Sequence, residues 1–276
     1  MFKLRVRDFD LDFTLSCGQV FRWKKLDGGF WYGLIGNRVV KIKQAGDLLS
    51  CSSSLISDLP SLISEYFNLK FDYKKMAHSI SNDSIIRKMV SSAYGLRILK
   101  QDPWECLVSY IISINKNIPA INCLIENICR KYGKRIEFEG DTYYTFPKPA
   151  ELKHLETHHI RACSVGFRDR YIKDAIDKVY SKKIDLKKLA KLSYPKAKAE
   201  LIKIVGIGSK VADCILLFAY NKYEAFPVDV WIKRAMRKLY GIKKGKDILP
   251  FASKHFGKYA GYAQEFIYFS PFARGR

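Results

Sequence analysis

The seven cysteines of this 276-residue chain, at positions 17, 51, 106, 123, 129, 163 and 214, never pair as C-x-x-C. The odd, scattered set argues against a disulfide framework or a zinc site and for a reducing compartment. No row of regularly spaced cysteines follows the glycines near residue 206, so an iron–sulfur cluster is not supported. No uncharged apolar stretch reaches the ~18 residues that a membrane span needs. The N-terminus, Met-Phe-Lys-Leu-Arg-Val-Arg-Asp, is not a signal peptide. An intracellular protein without membrane attachment is expected, in the cytoplasm or nucleoid, or in the nucleus of a eukaryote. Internal repeats and low-complexity segments are also missing. Acidic side chains are few: 27 Asp plus Glu face 49 Lys plus Arg, for a formal charge of +22. Such an excess predicts attraction to a polyanion, most commonly nucleic acid. The competing explanation is a lysine-rich surface of the kind found in some thermophiles.

The first part of the chain alternates between apolar and polar residues. Phe21–Lys24, Phe30–Ile35 and Arg38–Lys43 read as short strands, joined by turns at Asp27-Gly28-Gly29 and Gly36-Asn37. They predict an antiparallel sheet with one wet face, followed by helices around 59–67 and 81–98. Beyond Gln101-Asp102-Pro103 the pattern becomes helical. A buried helix is expected over 103–114, an amphipathic one over 119–132, and a loop or small strand pair over 140–147. Further helices are expected near 149–155, 158–163, 169–181, 186–191, 195–204, 209–220, 229–240, 246–256 and 260–269. The fold class is therefore α+β: an N-terminal domain over residues 1–100 and an all-α domain over 101–276.

Residues 196–220 form a helix–hairpin–helix candidate, turning at Val205-Gly206-Ile207-Gly208-Ser209. Glycines at 206 and 208 permit positive φ and close approach of another backbone. Ser209 is a reasonable N-cap for the second helix. The open amides around Gly206, Gly208, Ser209 and Val211 suit a phosphate. Lys210 then has two readings: a lysine that touches phosphate or solvent, or a nucleophilic amine. The second requires a neutral nitrogen, which burial against Val211, Ile215 and Phe218 and a nearby helix N-terminus both favour. Such an amine forms a Schiff base with a ring-opened sugar. Asp229, in Phe226-Pro227-Val228-Asp229-Val230-Trp231, caps a helix, stabilises positive charge on a sugar, or does both. Cys214 lies one helical turn from Lys210, as a pocket wall or a small core residue. Gln264 and Tyr268 have the same i, i+4 relation, either as an ordinary helix face or as a base reader with a stacking ring.

These residues resemble the helix–hairpin–helix DNA glycosylase superfamily with its Gly/Pro-rich loop and aspartate. Ser16–Trp23, Gln101–Leu107, Ile114–Ile118, Val165–Tyr171 and Tyr259–Gln264 narrow the resemblance to 8-oxoguanine DNA glycosylases of the eukaryotic type. It spans nearly the whole chain in the right order. It implies an N-terminal domain like half of a TATA-binding-protein fold, and a bifunctional enzyme acting on double-stranded DNA that contains oxidised guanine. Such an enzyme flips the base, cuts its glycosidic bond and nicks the strand by β-elimination. Lys210 would be the Schiff-base nucleophile and Asp229 its partner. The Gly18 carbonyl would accept from the N7–H that separates lesion from guanine. Gln264 would read the base edge, with Cys214 and Tyr268, or its neighbour Phe269, sandwiching the ring. Asn115 would fill the vacated stack, Phe167 would wedge the pair and Arg168 would hold the orphaned cytosine. No cofactor or metal is required, although in the family the hairpin carbonyls near Ile202, Ile204 and Ile207 can hold a cation. A monomer is expected.

Three positions depart from the family pattern. Tyr268 stands where the family usually has Phe, which keeps a stacking ring and adds a hydroxyl. Ala120 stands where a second cytosine-reading arginine is expected, which predicts weaker preference for cytosine opposite the lesion. Trp231 replaces a histidine near the lesion's phosphate. Two alternatives share the main features: a non-catalytic duplex-DNA binder, and a glycosylase of the same fold directed at another damaged base.

Overall fold

The computed structural model describes residues 1–274. Phe2–Arg5 (β1), Trp23–Lys25 (β2), Trp31–Ile35 (β3), Arg38–Ala45 (β4) and Leu48–Ser53 (β5) form one antiparallel sheet, ordered β1-β5-β4-β3-β2. The turns expected at 27–29 and 36–37 join β2 to β3 and β3 to β4. β1 and β5 are strands beyond those expected. In β5 the inward residues are Leu49, Cys51 and Ser53, a set too polar for alternation to stand out in the sequence. One sheet face buries Trp23, Trp31, Val40, Ile42 and Leu49 against Ile63, Tyr66 and Phe67 from the end of helix Leu59–Tyr66. Trp23 Nε1 donates to Tyr66 Oη at 2.9 Å, which satisfies the indole inside that core.

A second core is helical. Its centre is the helix Pro103–Ile112, in which Trp104 and Cys106 through Ile112 are all buried. Its start is set locally. Asp102 accepts from the amides of Trp104 and Glu105 at 3.0 and 2.9 Å, and Pro103 occupies the first turn, where no amide is needed. This helix packs on Ser209–Tyr220, whose residues Val211–Ala219 are likewise buried. The helices expected from residue 169 onward are present with ends shifted by at most two residues. Ile118–Tyr132 matches the amphipathic expectation. The strand pair expected over 140–147 begins five residues earlier, as a hairpin of Arg135–Phe138 (β6) and Asp141–Tyr144 (β7).

The helix expected over 81–98 is shorter, Ser84–Ser92. It ends before Gly95, which sits at φ +92° with its carbonyl accepting from the Asp10 amide at 2.9 Å, where a β-carbon would strike the Phe9–Asp10 backbone. Helix Tyr73–Ile80, unexpected, packs with Ser84–Ser92 into the helical core, as do Cys17 and Phe21 from the sheet side. Among the described residues no helix is long and apolar enough to cross a membrane.

Candidate active site

The hairpin is built from Tyr194–Ile202 and Ser209–Tyr220. Gly206 turns it at φ +84°, and a β-carbon there would lie 2.3 Å from the Tyr171 ring. Gly208 differs from expectation: its backbone is extended, at φ −90° and ψ −179°, and open space surrounds it. It also takes the cap position assigned to Ser209, which is instead the first helical residue. A glycine cap offers no side chain, so no side-chain cap engages the first amides of this helix. The turn is braced from behind, because Asp174 Oδ2 accepts from the Val205 amide at 2.8 Å and Lys178 Nζ donates to Lys203 O at 2.6 Å.

The two hairpin helices are tied by a contact that the sequence reading missed. Lys198 and Asp213 pair at 2.8 Å, and Tyr194 Oη donates to Asp213 at 2.7 Å. Asp213 is buried between Ala212 and Cys214. A single carboxylate inside the run Val211–Ala219 was the available signal, since a charge there demands a partner.

Gly18, Lys210, Cys214, Asp229, Gln264 and Tyr268 line one small cavity, together with Tyr110, Phe218, Pro227 and Glu265. Five separate segments therefore meet there. Phe269 packs edge-on against Phe13 at 5.6 Å, so Tyr268 is the ring on the cavity wall. The cavity encloses about 40 Å³, space on the scale of a water molecule and too little for a purine until the walls move. Gln264 is buried, and its Oε1 has no hydrogen-bond partner among the described residues. Asp229 caps the helix Val230–Tyr240 by accepting from the Ile232 amide at 2.8 Å, which fixes its carboxylate at the cavity edge.

The electrostatics of Lys210 correct one expectation. Burial favours the neutral amine, but Cys214, Asp229 and Tyr268 outweigh it, and the amine titrates above the ordinary lysine range. The ammonium is therefore the resting form. Its ring neighbour is Tyr110, whose centroid lies 5.6 Å from Nζ. Burial pushes the Cys214 thiol up to about 12, against the pull of Lys210. At neutral pH the pair is an ammonium beside a thiol.

Gly18 comes from the sheet domain and must be carried to the helical one. Its φ of +101° is open to glycine alone among unstrained residues. Gln19 clamps it. The Gln19 amide donates to Thr14 O at 2.9 Å and to Arg97 O at 2.8 Å, and accepts from the Leu99 amide at 2.9 Å. The Gln19 carbonyl accepts from Gln101 Nε2 at 2.8 Å and from Tyr110 Oη at 3.0 Å. Three residues on, half-buried Arg22 faces Glu105 at 3.6 Å and donates to Tyr144 O.

The residues expected at the opposite strand lie away from the cavity lining. Asn115 is exposed at φ +52°, just beyond the helix Pro103–Ile112. Phe167 is 43% exposed at the turn Gly166–Arg168, edge-on to Tyr171. Arg168 is turned inward: Nε donates to Ile114 O at 3.0 Å, Nη1 to Val165 O at 3.1 Å, and its guanidinium lies 4.4 Å from the Phe167 centroid. Burial pulls its titration below the ordinary arginine range. Asp169, fully buried and paired with Arg161 at 2.6 Å, anchors the following helix. Ala120 lies in the first turn of Ile118–Tyr132, its amide donating to Asn117 at 3.0 Å. Trp231 is exposed beside Asp229, with the Arg234 guanidinium 5.0 Å from its ring centre.

Residues 1–107 match the 8-oxoguanine DNA glycosylase N-terminal domain, and residues 108–254 match the HhH-GPD superfamily of base excision DNA repair proteins. A probable N-glycosylase/DNA lyase of Methanothermobacter thermautotrophicus is 31% identical, over 96% of this chain and 94% of its own length. The apo-form 8-oxoguanine glycosylase/lyase of Clostridium acetobutylicum superposes with a TM-score of 0.92 at 37% identity, covering 96% of this chain and 94% of that one. The same enzyme in complex with double-stranded DNA containing cytosine opposite 8-oxoguanine gives 0.93 at 36% identity, over 98% and 93% of the two chains. From its hairpin, its aspartate loop and both matched domains, the chain belongs to the HhH-GPD superfamily of base excision DNA repair proteins, among the N-glycosylase/DNA lyases of 8-oxoguanine glycosylase type.

Proposed function

We propose that this protein removes 8-oxoguanine from duplex DNA and then cuts the abasic strand, with Lys210 as nucleophile. The observation that carries the reading is one cavity shared by an amine, a carboxylate, the Gly18 segment of the other domain and a buried Gln264 amide oxygen with no partner among the described residues. An unsatisfied buried acceptor costs about 1–3 kcal/mol, a cost that a ligand bearing a donor would relieve. A flipped purine has such donors on its Watson–Crick edge. The relatives named above act on this lesion or as DNA lyases, which supports the assignment.

The chemistry runs in two stages. Lys210 Nζ, after losing a proton, attacks C1′ of the sugar as the C1′–N9 bond breaks, and the departing purine takes up a proton. The Asp229 carboxylate stabilises the positive charge that builds on the sugar. Ring opening gives a Schiff base between Lys210 and C1′. Loss of a 2′ proton then expels the 3′ phosphate, and water releases the lysine. The open amides at Gly208–Val211 hold a neighbouring phosphate. The reaction as written calls on no cofactor, and one chain supplies every group. Its substrate places the protein with the cell's DNA, inside the cell.

Duplex DNA carrying one 8-oxoguanine, incubated with the protein and then borohydride, gives a covalent protein–DNA adduct; Lys210→Gln gives none. A wild-type protein that forms no adduct, although it binds the duplex, is a binder and not a lyase.

A further inference from the structure

We infer that Tyr110 is a positioning residue that serves both halves of the site: its hydroxyl aims the Gly18 carbonyl, and its ring faces the Lys210 amine. The inference rests on the proposed excision of 8-oxoguanine. A carbonyl that tells lesion from guanine through one hydrogen bond must be held in place. Gly18, at φ +101°, is the kind of residue least able to hold itself. The restraint has to come from the next peptide. The Gln19 carbonyl accepts two hydrogen bonds, from Gln101 Nε2 at 2.8 Å and Tyr110 Oη at 3.0 Å, so both of its lone pairs are engaged. Tyr110 is itself fixed, stacked on Phe218 at 5.6 Å and 14° and met edge-on by Phe21 at 5.5 Å.

The same ring borders the nucleophile. Lys210 Nζ lies 5.6 Å from its centroid, within the range where an aromatic face stabilises an ammonium. Two jobs on one side chain separate cleanly by substitution. Tyr110→Phe keeps the ring and removes the hydroxyl. Tyr110→Leu removes both.

The test measures single-turnover excision from 8-oxoguanine duplexes and borohydride trapping on duplexes with a preformed abasic site, which presents no base to read. Tyr110→Phe lowers the ratio of excision to trapping by about five- to tenfold, the scale of one buried hydrogen bond. Its pH profile for trapping follows wild type. Tyr110→Leu shifts that profile to lower pH, because the neutral amine forms more readily without the aromatic face. Thermal unfolding of both variants shows that the fold is kept. A Tyr110→Phe ratio equal to wild type overturns the positioning of Gly18. Identical pH profiles for Tyr110→Leu and Tyr110→Phe overturn the contact with Lys210. If wild-type protein forms no adduct on either duplex, the proposed reaction fails, and this inference with it.

Discussion

As the proposed nucleophile, Lys210 needs a neutral amine to attack carbon, yet its neighbours hold it as the ammonium. Asp229 is one of those neighbours and also the cap of the helix Val230–Tyr240. Asp229→Asn separates these duties, because asparagine caps about as well as aspartate. Its stability should stay within about 1 kcal/mol of wild type. Its excision rate should fall by about 10²–10³, the cost of removing one preorganised electrostatic partner. Lys210 has a raised titration point, so the rate of trapping on abasic DNA should climb with pH between about 6 and 9. Losing the Asp229 charge removes one cause of the rise, so the Asp229→Asn profile should move to lower pH. Single-turnover excision, trapping on abasic DNA across that range and thermal melts check all four; wild-type excision by Asp229→Asn would leave the residue a cap alone. Lys210 and Asp229 were legible in the sequence because their signals are local: a glycine turn running into a helix, and a proline-led loop ending in a cap. The resting charge of Lys210 was not legible. It depends on the Cys214 thiol and on the carboxylate brought in by a different helix. Nor was the Gln19–Tyr110 contact, which joins residues 91 apart in sequence.

The turn Gly166–Arg168 and the first turn of Ile118–Tyr132 are the elements assigned to the strand opposite the lesion. Phe167 stands out from the first, but the guanidinium beside it is committed to the Ile114 and Val165 carbonyls. In the second, Ala120 has no side-chain donor. A bidentate fork is worth about 1–3 kcal/mol of discrimination between bases, and neither element offers one outward. Excision of 8-oxoguanine opposite cytosine, adenine, guanine or thymine should therefore proceed at rates within about threefold of one another, well inside what one fork would confer. Ala120→Arg should restore a preference for cytosine of about tenfold. Single-turnover rates on four duplexes decide the matter, and a wild-type preference as large as a hundredfold would contradict it. Whole elements were read from sequence most securely where one period ran long, as in Ser209–Tyr220 and Ala260–Phe269. Helix Leu11–Ser16, with six residues, is too short to display a period. β5 hid because its inward face carries Cys51 and Ser53.

Across the whole molecule, two hydrophobic cores meet along the Cys17–Trp23 segment that carries Gly18. The sheet core ends near Trp23 while Phe21 already belongs to the helical core, so Arg22 lies at the joint. Its side chain is 6% exposed and that of Glu105 16%, at a separation of 3.6 Å. Burial holds Glu105 above the usual carboxylate range even though Arg22 pulls it down. Arg22→Met keeps much of the aliphatic length and removes the charge, leaving a largely buried carboxylate unpaired. Breaking such a pair costs about 3–5 kcal/mol. A carboxyl that titrates higher folded than unfolded binds more protons in the folded state. Its burial is tolerated below the unfolded value, and stability is lost as pH rises through the folded one. Without Arg22 the folded value climbs further, so the deficit of Arg22→Met should be largest at neutral pH and shrink on acidification. Urea unfolding of wild type and Arg22→Met at about pH 7.5 and pH 5 measures the difference. A deficit that stays constant between the two would mean that Glu105 is not the stranded charge, and that the loss comes from the Tyr144 carbonyl that Arg22 also engages.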